Sequence, residues 1–258
     1  KTFVNADKSY LPGCSKCALK EKTHGLVKTQ RHTFNQQIPD DIDDEIYKLE
    51  IVLDSTCNAA CIQCGSNQSS LWRNEYAKRD HNYIHIQPES QIDSKIEVIK
   101  KNIDIQKVKR WHFWGGEPLV YWKTLKPLAE AIADKFDDWK RKPRFSIITN
   151  GSILTDEIID WLMMMNFNVS ISHDGPGQSV RGPDPFDDPE QKERILGFYR
   201  MMTRLGKSFS FNSMLNSKNQ SRKEIHDWFV NLTGDENVRL GEGSIVDAYD
   251  EEGLVNSL

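Results

Sequence analysis

The segment IYKLEIVLDSTCNAACIQCGS, residues 46–66, joins a strand pattern to a cluster of cysteines. Its first part, residues 46–54, is apolar and rich in β-branched residues, which is typical of a buried strand. It continues directly into Cys57, Cys61 and Cys64, in the spacing C-x3-C-x2-C. Three thiolates on one short loop can converge on a single inorganic centre. We therefore expect a strand that ends in a metal-ligating loop.

Two kinds of metal centre are compatible with this loop. A cubane 4Fe–4S cluster takes one cysteine per iron, so three cysteines leave one iron open to a substrate or cosubstrate. Zinc is the alternative, because Cys61 and Cys64 are followed after sixteen residues by His81 and His85, a loose imitation of a Cys2His2 site. That intervening loop is long and Cys57 would be left over, so the sequence favours the iron–sulfur cluster.

The composition limits the class of protein. The chain has 258 residues, of which 38% are apolar and 28% charged, and its net charge is −4. These values are ordinary for a globular protein and suggest neither a disordered chain nor a bulk nucleic-acid binder. No run approaches the roughly 20 apolar residues of a membrane span. Five cysteines in two tight clusters indicate metal ligation in a reducing compartment, so we expect a cytoplasmic protein.

Strand and helix patterns alternate after residue 45. Apolar stripes at helical spacing separate the strand-like runs, and their residues are expected in the core. The predicted strands are 46–54, 108–114, 144–149, 167–172, 208–215 and 237–246. The helical stripes are Ile92–Ile96–Ile99–Ile103, Leu125–Leu128–Ile132–Phe136, Ile195–Phe198–Met202–Leu205 and Ile225–Trp228–Phe229–Leu232.

This alternation predicts an α/β domain with a parallel sheet, either an open doubly wound sheet or an incomplete barrel. In both architectures ligands bind at the carboxyl ends of the strands. Residues 1–45 lack such periodicity and form a separate small module and linker, so we expect two domains, 1–45 and 46–258. Because the chain begins with Lys1 rather than Met, we also expect residues before it.

Three further motifs follow predicted strands. FWGGEPL (113–119) pairs glycines, which let a backbone approach a ligand closely, with a carboxylate that can accept from an ammonium group. ITNGS (148–152) offers the Thr149 hydroxyl and the Asn150 amide, and SISHDGPG (170–177) offers another carboxylate. Each motif alone could be no more than a tight turn. Together they place polar groups at successive strand ends.

On the cysteine spacing and these motifs, residues 46–246 resemble the radical S-adenosylmethionine (radical SAM) superfamily. The resemblance implies a partial (β/α)6 TIM-like barrel, a 4Fe–4S cluster on Cys57, Cys61 and Cys64, and S-adenosylmethionine (SAM) as cosubstrate. One departure is Gln63, since the family usually has an aromatic residue before the third cysteine. That departure concerns the packing near the adenine rather than the cluster.

The resemblance also assigns contacts to SAM. Gly115, Gly116 and Glu117 would receive its amino group, and Ser172 and Asp174 would face its ribose. Further candidates at the barrel mouth are Thr149 and Asn150, Arg181 for the SAM carboxylate, and Asn212 and Met214 for the adenine or the substrate. Between Ser172 and Asp174, His173 should point the other way by strand alternation, so we interpret it as structural.

A second cysteine pair, Cys14 and Cys17, precedes the barrel. Its segment resembles the twitch/SPASM-like modules that hold auxiliary 4Fe–4S clusters in some radical SAM proteins. Two thiolates cannot complete such a cluster alone, so further ligands would be required. A zinc knuckle completed by His24 or His32, or simply free thiols, stays an open alternative.

The resemblance implies an enzyme. It would cleave SAM reductively, with electrons from flavodoxin or ferredoxin, to a 5′-deoxyadenosyl radical that takes hydrogen from a substrate, and we favour a peptide or protein. The basic region between Lys1 and Arg31, with seven Lys and Arg against two acids, would also suit a nucleotide or RNA. The remaining alternatives are a zinc-stabilised binding module without catalysis and a radical SAM fold that binds SAM without turnover.

Overall fold

The structure is a computed structural model, and it describes residues 48–53, 56–59, 61, 69–79, 101, 103–136, 142–215 and 221–244. The chain divides between Tyr47 and Lys48, and every described residue belongs to the second unit. The predicted division into 1–45 and 46–258 stays a prediction. Several residues of the sequence analysis lie outside the described ones, namely Cys14, Cys17, Cys64, His24, His32, His81 and His85.

A six-stranded parallel sheet forms the centre of the described unit. The strands pair strictly in chain order, each with the next, which is the order expected of a partial TIM-like barrel rather than of a doubly wound sheet. The predicted α/β fold is therefore confirmed, and each strand lies within its predicted range. The strands are β1 Lys48–Ile51, β2 Arg110–Phe113, β3 Arg144–Thr149, β4 Asn168–Ser172, β5 Phe209–Leu215 and β6 Leu240–Ser244.

Helices follow the strands, and one of them was not predicted. That helix, Asp156–Met164, begins at the cap residue Thr155, whose hydroxyl accepts from the N–H of Ile158. Another stripe was wrong at its end, since Leu205 is 54% exposed just beyond its helix. The described helices are α1 Ser70–Arg79, α2 Trp122–Ala133, α3 Asp156–Met164, α4 Gln178–Arg181, α5 Pro189–Arg204 and α6 Arg222–Thr233.

The two faces of the sheet differ in chemistry. One face carries the core, with Trp111, Phe113, Ile147 and Phe211 fully buried. The alternate residues form what we call the inner face, which is half-buried and polar and includes His112, Ser146, Asn168, Ser170 and Ser210. Because all six strands run the same way, the loops after their carboxyl ends meet at one edge of the sheet. Within the described residues, no helix is both long and apolar enough to span a bilayer.

Candidate functional site

The cysteine loop after β1 is held by the first turn of α1. The hydroxyl of Ser70 donates to the carbonyl of Cys57 (3.0 Å) and accepts from the Cys57 N–H (3.2 Å). The fully buried Ser69 donates to the carbonyl of Ala59 (2.8 Å), and the indole of Trp72 donates to the carbonyl of Cys61 (2.7 Å). Three side chains on one helix turn therefore fix the backbone that carries the cysteines.

The same loop is tied to the end of β3 through Asn58. The Asn150 amide donates to Asn58 Oδ1 (2.8 Å), and the Asn58 amide donates to Ser152 Oγ (2.7 Å). Asn150 Oδ1 in turn accepts from the backbone and hydroxyl of Ser152 at 2.9 and 2.7 Å. Asn150, predicted only as a polar group at the barrel mouth, thus joins the cysteine loop to the third strand.

Glu117 links β2 to β3 inside the protein. Its side chain is 1% exposed, and Oε1 accepts from the Leu119 N–H (3.0 Å) and the Thr149 hydroxyl (2.7 Å). Oε2 accepts from the Asn150 N–H (2.7 Å), while the Glu117 N–H donates to the carbonyl of Thr56 (2.9 Å). Burial raises the pKa of the Glu117 carboxyl, and these three hydrogen bonds oppose the shift. A carboxylate has about four acceptor positions, so three are used by the protein itself.

Gly115 and Gly116 both need the left-handed backbone, with φ of +83° and +56°. A Cβ on Gly115 would lie 2.6 Å from Cγ1 of Val52, so the turn also needs the missing side chain. The glycine pair thus brings the β2 turn against β1, directly before the loop that bears the cysteines.

Asp174 and Arg181, which the resemblance assigned to different parts of SAM, are in contact with each other. Arg181 Nε lies 3.1 Å from Asp174 Oδ1, and both side chains are buried. The same oxygen accepts from the Met214 N–H (2.8 Å), which links β4 to β5. Asp174 therefore orients Arg181, whatever else it binds. Asn212 lies beside Ser172 in the sheet register, and its carbonyl accepts from the His173 N–H.

His173 is fully buried, in keeping with the structural role expected of it. Its Nδ1 accepts from the Gly175 N–H (2.9 Å), so the ring proton is on Nε2, which lies 2.9 Å from Asp184 Oδ1. The ring packs against Phe186 and Trp228 at centroid distances of 4.5 and 5.1 Å. Partial burial opposes ionisation of Asp184, but the hydrogen bonds from His173 and the Phe186 N–H leave its pKa below its ordinary value.

A cavity of about 250 Å³ opens where these elements meet. It is walled by the cysteine loop, by the ends of β3 and β4, and by the loop 182–188 that Asp184 holds in place. Of the predicted site residues that the structure describes, four line it: Cys61, Asn150, Ser172 and Arg181. The others surround it without lining it, namely Cys57, Gly115, Gly116, Glu117, Thr149, Asp174, Asn212 and Met214.

The chemistry of this cavity suits the predicted groups. Cys61 is a thiol at the cavity wall, and the guanidinium of Arg181 offers a partner for a carboxylate. Burial raises the pKa of the Cys57 thiol to about 11, so a metal must displace its proton. The described residues contain no group of three or more metal-ligating side chains, because they include only two of the three cysteines of the motif. Within that range, a cluster beside a ligand that carries a carboxylate and hydroxyls fits the residues present.

Several residues of the site were missed by sequence reasoning. Gln178 accepts from the Asp174 N–H (2.9 Å) and donates to the carbonyl of Pro183 (3.0 Å), and Gln191 donates to the carbonyl of Gly151. Lone glutamines give no spacing signal. The loop RGPDPFDDP (181–189), with three prolines and three aspartates, was the one available sign of a rigid, polar wall.

Comparison with known families gives a match over most of this unit. The family model described as the radical SAM superfamily matches residues 51–228, which include the two described cysteines and the whole cavity.

Similar proteins agree with this match. The radical SAM cyclopropyl synthase TigE from Paramaledivibacter caminithermalis (strain DSM 15212 / CIP 107654 / DViRD3) is 30% identical over 192 residues, 73% of this chain and 38% of TigE. Native anSMEcpe with bound AdoMet has a TM-score of 0.52 at 19% identity, over 80% of this chain and 54% of that one. Native anSMEcpe with bound AdoMet and Cp18Cys peptide has a TM-score of 0.50 at 19% identity, over 81% and 54%. At these identities the structures show a shared fold, and the chain spans about half or less of each relative.

Proposed function

The chain belongs to the radical SAM superfamily, a superfamily of enzymes, and on that premise we propose that it cleaves SAM reductively and uses the resulting radical to abstract hydrogen from a substrate. Cys57, Cys61 and Cys64 would hold the 4Fe–4S cluster. When bound, the cluster and SAM supply a 5′-deoxyadenosyl radical. The observation that carries the proposal is that Cys61 and the cation Arg181 line one cavity at the carboxyl ends of the strands.

The residues of this chain would bind and orient rather than transfer protons. Arg181, oriented by Asp174, is placed to bind the carboxylate of SAM, and the Ser172 hydroxyl lies at the same cavity for its ribose. Glu117 keeps one acceptor position for the SAM amino group, and through Thr149 and Asn150 it fixes the wall on which that group would rest. The loop 182–188, held by His173, would exclude water from the radical.

We further propose a peptide or protein as substrate. The support is that one anSMEcpe structure of the same fold contains a bound peptide. Flavodoxin or ferredoxin is the proposed electron donor, in a cytoplasmic setting. Cys14 and Cys17 would contribute to a second 4Fe–4S cluster, completed by ligands beyond these two.

The test is an anaerobic SAM-cleavage assay. The protein is reconstituted with iron and sulfide, mixed with SAM and dithionite, and 5′-deoxyadenosine is quantified. We expect its formation in the wild type and its loss in Cys61→Ala, because three thiolates are the minimum for a cluster with an open iron. Cys14→Ala is the matched control, since it removes a cysteine of the other pair and should keep 5′-deoxyadenosine formation. Bound zinc without iron, or equal product from Cys61→Ala, would contradict the proposal.

A further inference from the structure

Three cations stand side by side where the first three strands begin. Lys48, Arg110 and Arg144 are direct partners in the register of β1, β2 and β3, and we call them the basic rung. Together with His112, Ser146 and Asn168 on the inner face they line a cavity of about 260 Å³. The basic rung is thus a second cavity, at the opposite end of the strands from the cysteine loop.

The charge of the basic rung is only partly balanced. Like charges directly opposite in a sheet are unfavourable, so a row of three needs an anion. Glu50 lies 2.5 Å from Lys48, and within the described part of the chain Arg144 has no side-chain partner. Burial, with the nearby Lys48 charge, lowers the pKa of His112, so this ring adds a neutral polar group rather than a fourth charge. Three cations and one carboxylate leave an excess of positive charge.

The inner face connects the basic rung to the candidate site. Arg144 begins β3 and Asn150 directly follows it, so the rung lies about 20 Å from the cysteine loop at roughly 3.3 Å per residue. Between them the inner face carries small polar side chains, and Ser210 and Ser170 are joined to each other at 3.0 Å. An extended peptide of about six residues would span this distance.

We propose that the basic rung binds a carboxylate of the substrate peptide, about six residues from the residue that reacts beside the cysteine loop. This inference rests on the proposed function, which supplies the reacting end. The chemistry favours an isolated carboxylate over a nucleic acid. A polyanion would bring successive phosphates along the strands against Glu50, which lies one side chain further along β1 on the same face, whereas a single carboxylate meets only the cations.

The test measures binding without SAM or reductant, so it is independent of radical chemistry. Fluorescein-labelled triglutamate is titrated with the reconstituted protein and followed by fluorescence anisotropy, with triglutamine as the neutral probe. We expect triglutamate to bind and triglutamine not to bind. Arg110→Gln combined with Arg144→Gln should weaken triglutamate binding by about tenfold or more, because hydrogen bonds to charged groups are lost. Lys109→Gln is the matched control, since it removes an exposed cation next to Arg110 that does not line the cavity.

The outcomes separate clearly. Weakening in the double arginine variant with unchanged binding in Lys109→Gln supports the basic rung, provided thermal unfolding shows that the variant is folded. Lys48→Gln, which leaves both arginines in place, gives a second reading if it does not fold. Equal binding by wild type and rung variants overturns the proposal, as does equal weakening in Lys109→Gln. Tighter, rung-dependent binding of a single-stranded oligonucleotide than of triglutamate overturns the peptide assignment.

Discussion

The carboxylate of Glu117 and the backbone N–H of Asn150 are joined by a hydrogen bond of 2.7 Å across the ends of two neighbouring strands. Because Asn150 also binds Asn58, this bond places Glu117 one residue away from the cysteine loop in a continuous hydrogen-bond network. The glutamate of the GGE motif is therefore a structural element of the site as well as a candidate ligand for SAM.

Glu117→Gln should destabilise the protein by about 1–3 kcal/mol. In either orientation of the amide, its NH2 group faces a donor, the Asn150 N–H or the Thr149 and Leu119 pair. The free energy of unfolding in urea measures the effect. Glu157→Gln is the control, since that side chain is 70% exposed and its loss should cost less than about 0.5 kcal/mol. Equal stability of Glu117→Gln and wild type would show that the network is not formed.

Gly115→Ala should destabilise the protein by more than Gly206→Ala does. Both glycines have positive φ, but a Cβ on Gly206 meets no atom within 4 Å, so that variant reports the backbone cost alone, about 1 kcal/mol. At Gly115 the clash with Val52 is added. Adding Val52→Ala to Gly115→Ala should recover the steric part only. A double-mutant cycle of unfolding free energies checks this, and the absence of coupling between the two positions would refute it.

Trp72→Phe should speed the loss of iron from the reconstituted protein by about threefold to tenfold. The change removes the hydrogen bond to the carbonyl of Cys61 while keeping an aromatic ring, and a typical hydrogen bond contributes about 1 kcal/mol. The rate of iron transfer to a chelator is the measurement. Trp161→Phe removes an equivalent indole bond, to Glu130, far along the chain from the cysteines. Faster iron loss in both variants alike would point to general destabilisation instead.

Asp184→Asn should lower stability in a pH-dependent way. Although partial burial opposes it, the hydrogen bond from His173 keeps the folded pKa of Asp184 below its ordinary value of 3.8. The ionised carboxylate therefore stabilises the fold above about pH 4, and this contribution disappears as the pH falls through the folded pKa. We expect the difference in unfolding free energy between wild type and variant to be constant near neutral pH and to shrink below about pH 4.

The partner of Asp184 provides the control for that experiment. In a His173→Gln background, Asp184→Asn should have a smaller effect, because the hydrogen bond between the two side chains is already changed. A pH-independent difference, or full additivity of the two substitutions, would show that this pair does not hold the loop.

The strands were predictable because they alternate or are continuously apolar, and the cysteine spacing marked the site without any structure. What the sequence could not supply were partners distant along the chain. Nothing local relates Glu117 to Thr149, which lies 32 residues later, or the three Lys and Arg residues that share one register. The helix Asp156–Met164 was missed although Thr155 and two acids mark its start, since the search relied on apolar stripes.

The two sets of contacts that hold the cysteine loop differ in when they can form during synthesis. The bonds from Ser69, Ser70 and Trp72 close over 10 to 13 residues and are available almost as soon as the loop has left the ribosome. The bond from Asn150 to Asn58 closes over 92 residues, which a ribosome adds in roughly 5–20 s at about 5–20 residues per second. For that interval the nascent chain presents its cysteines anchored on one side only. Cluster delivery during translation would meet this half-anchored loop, and the third strand would then lock it in place.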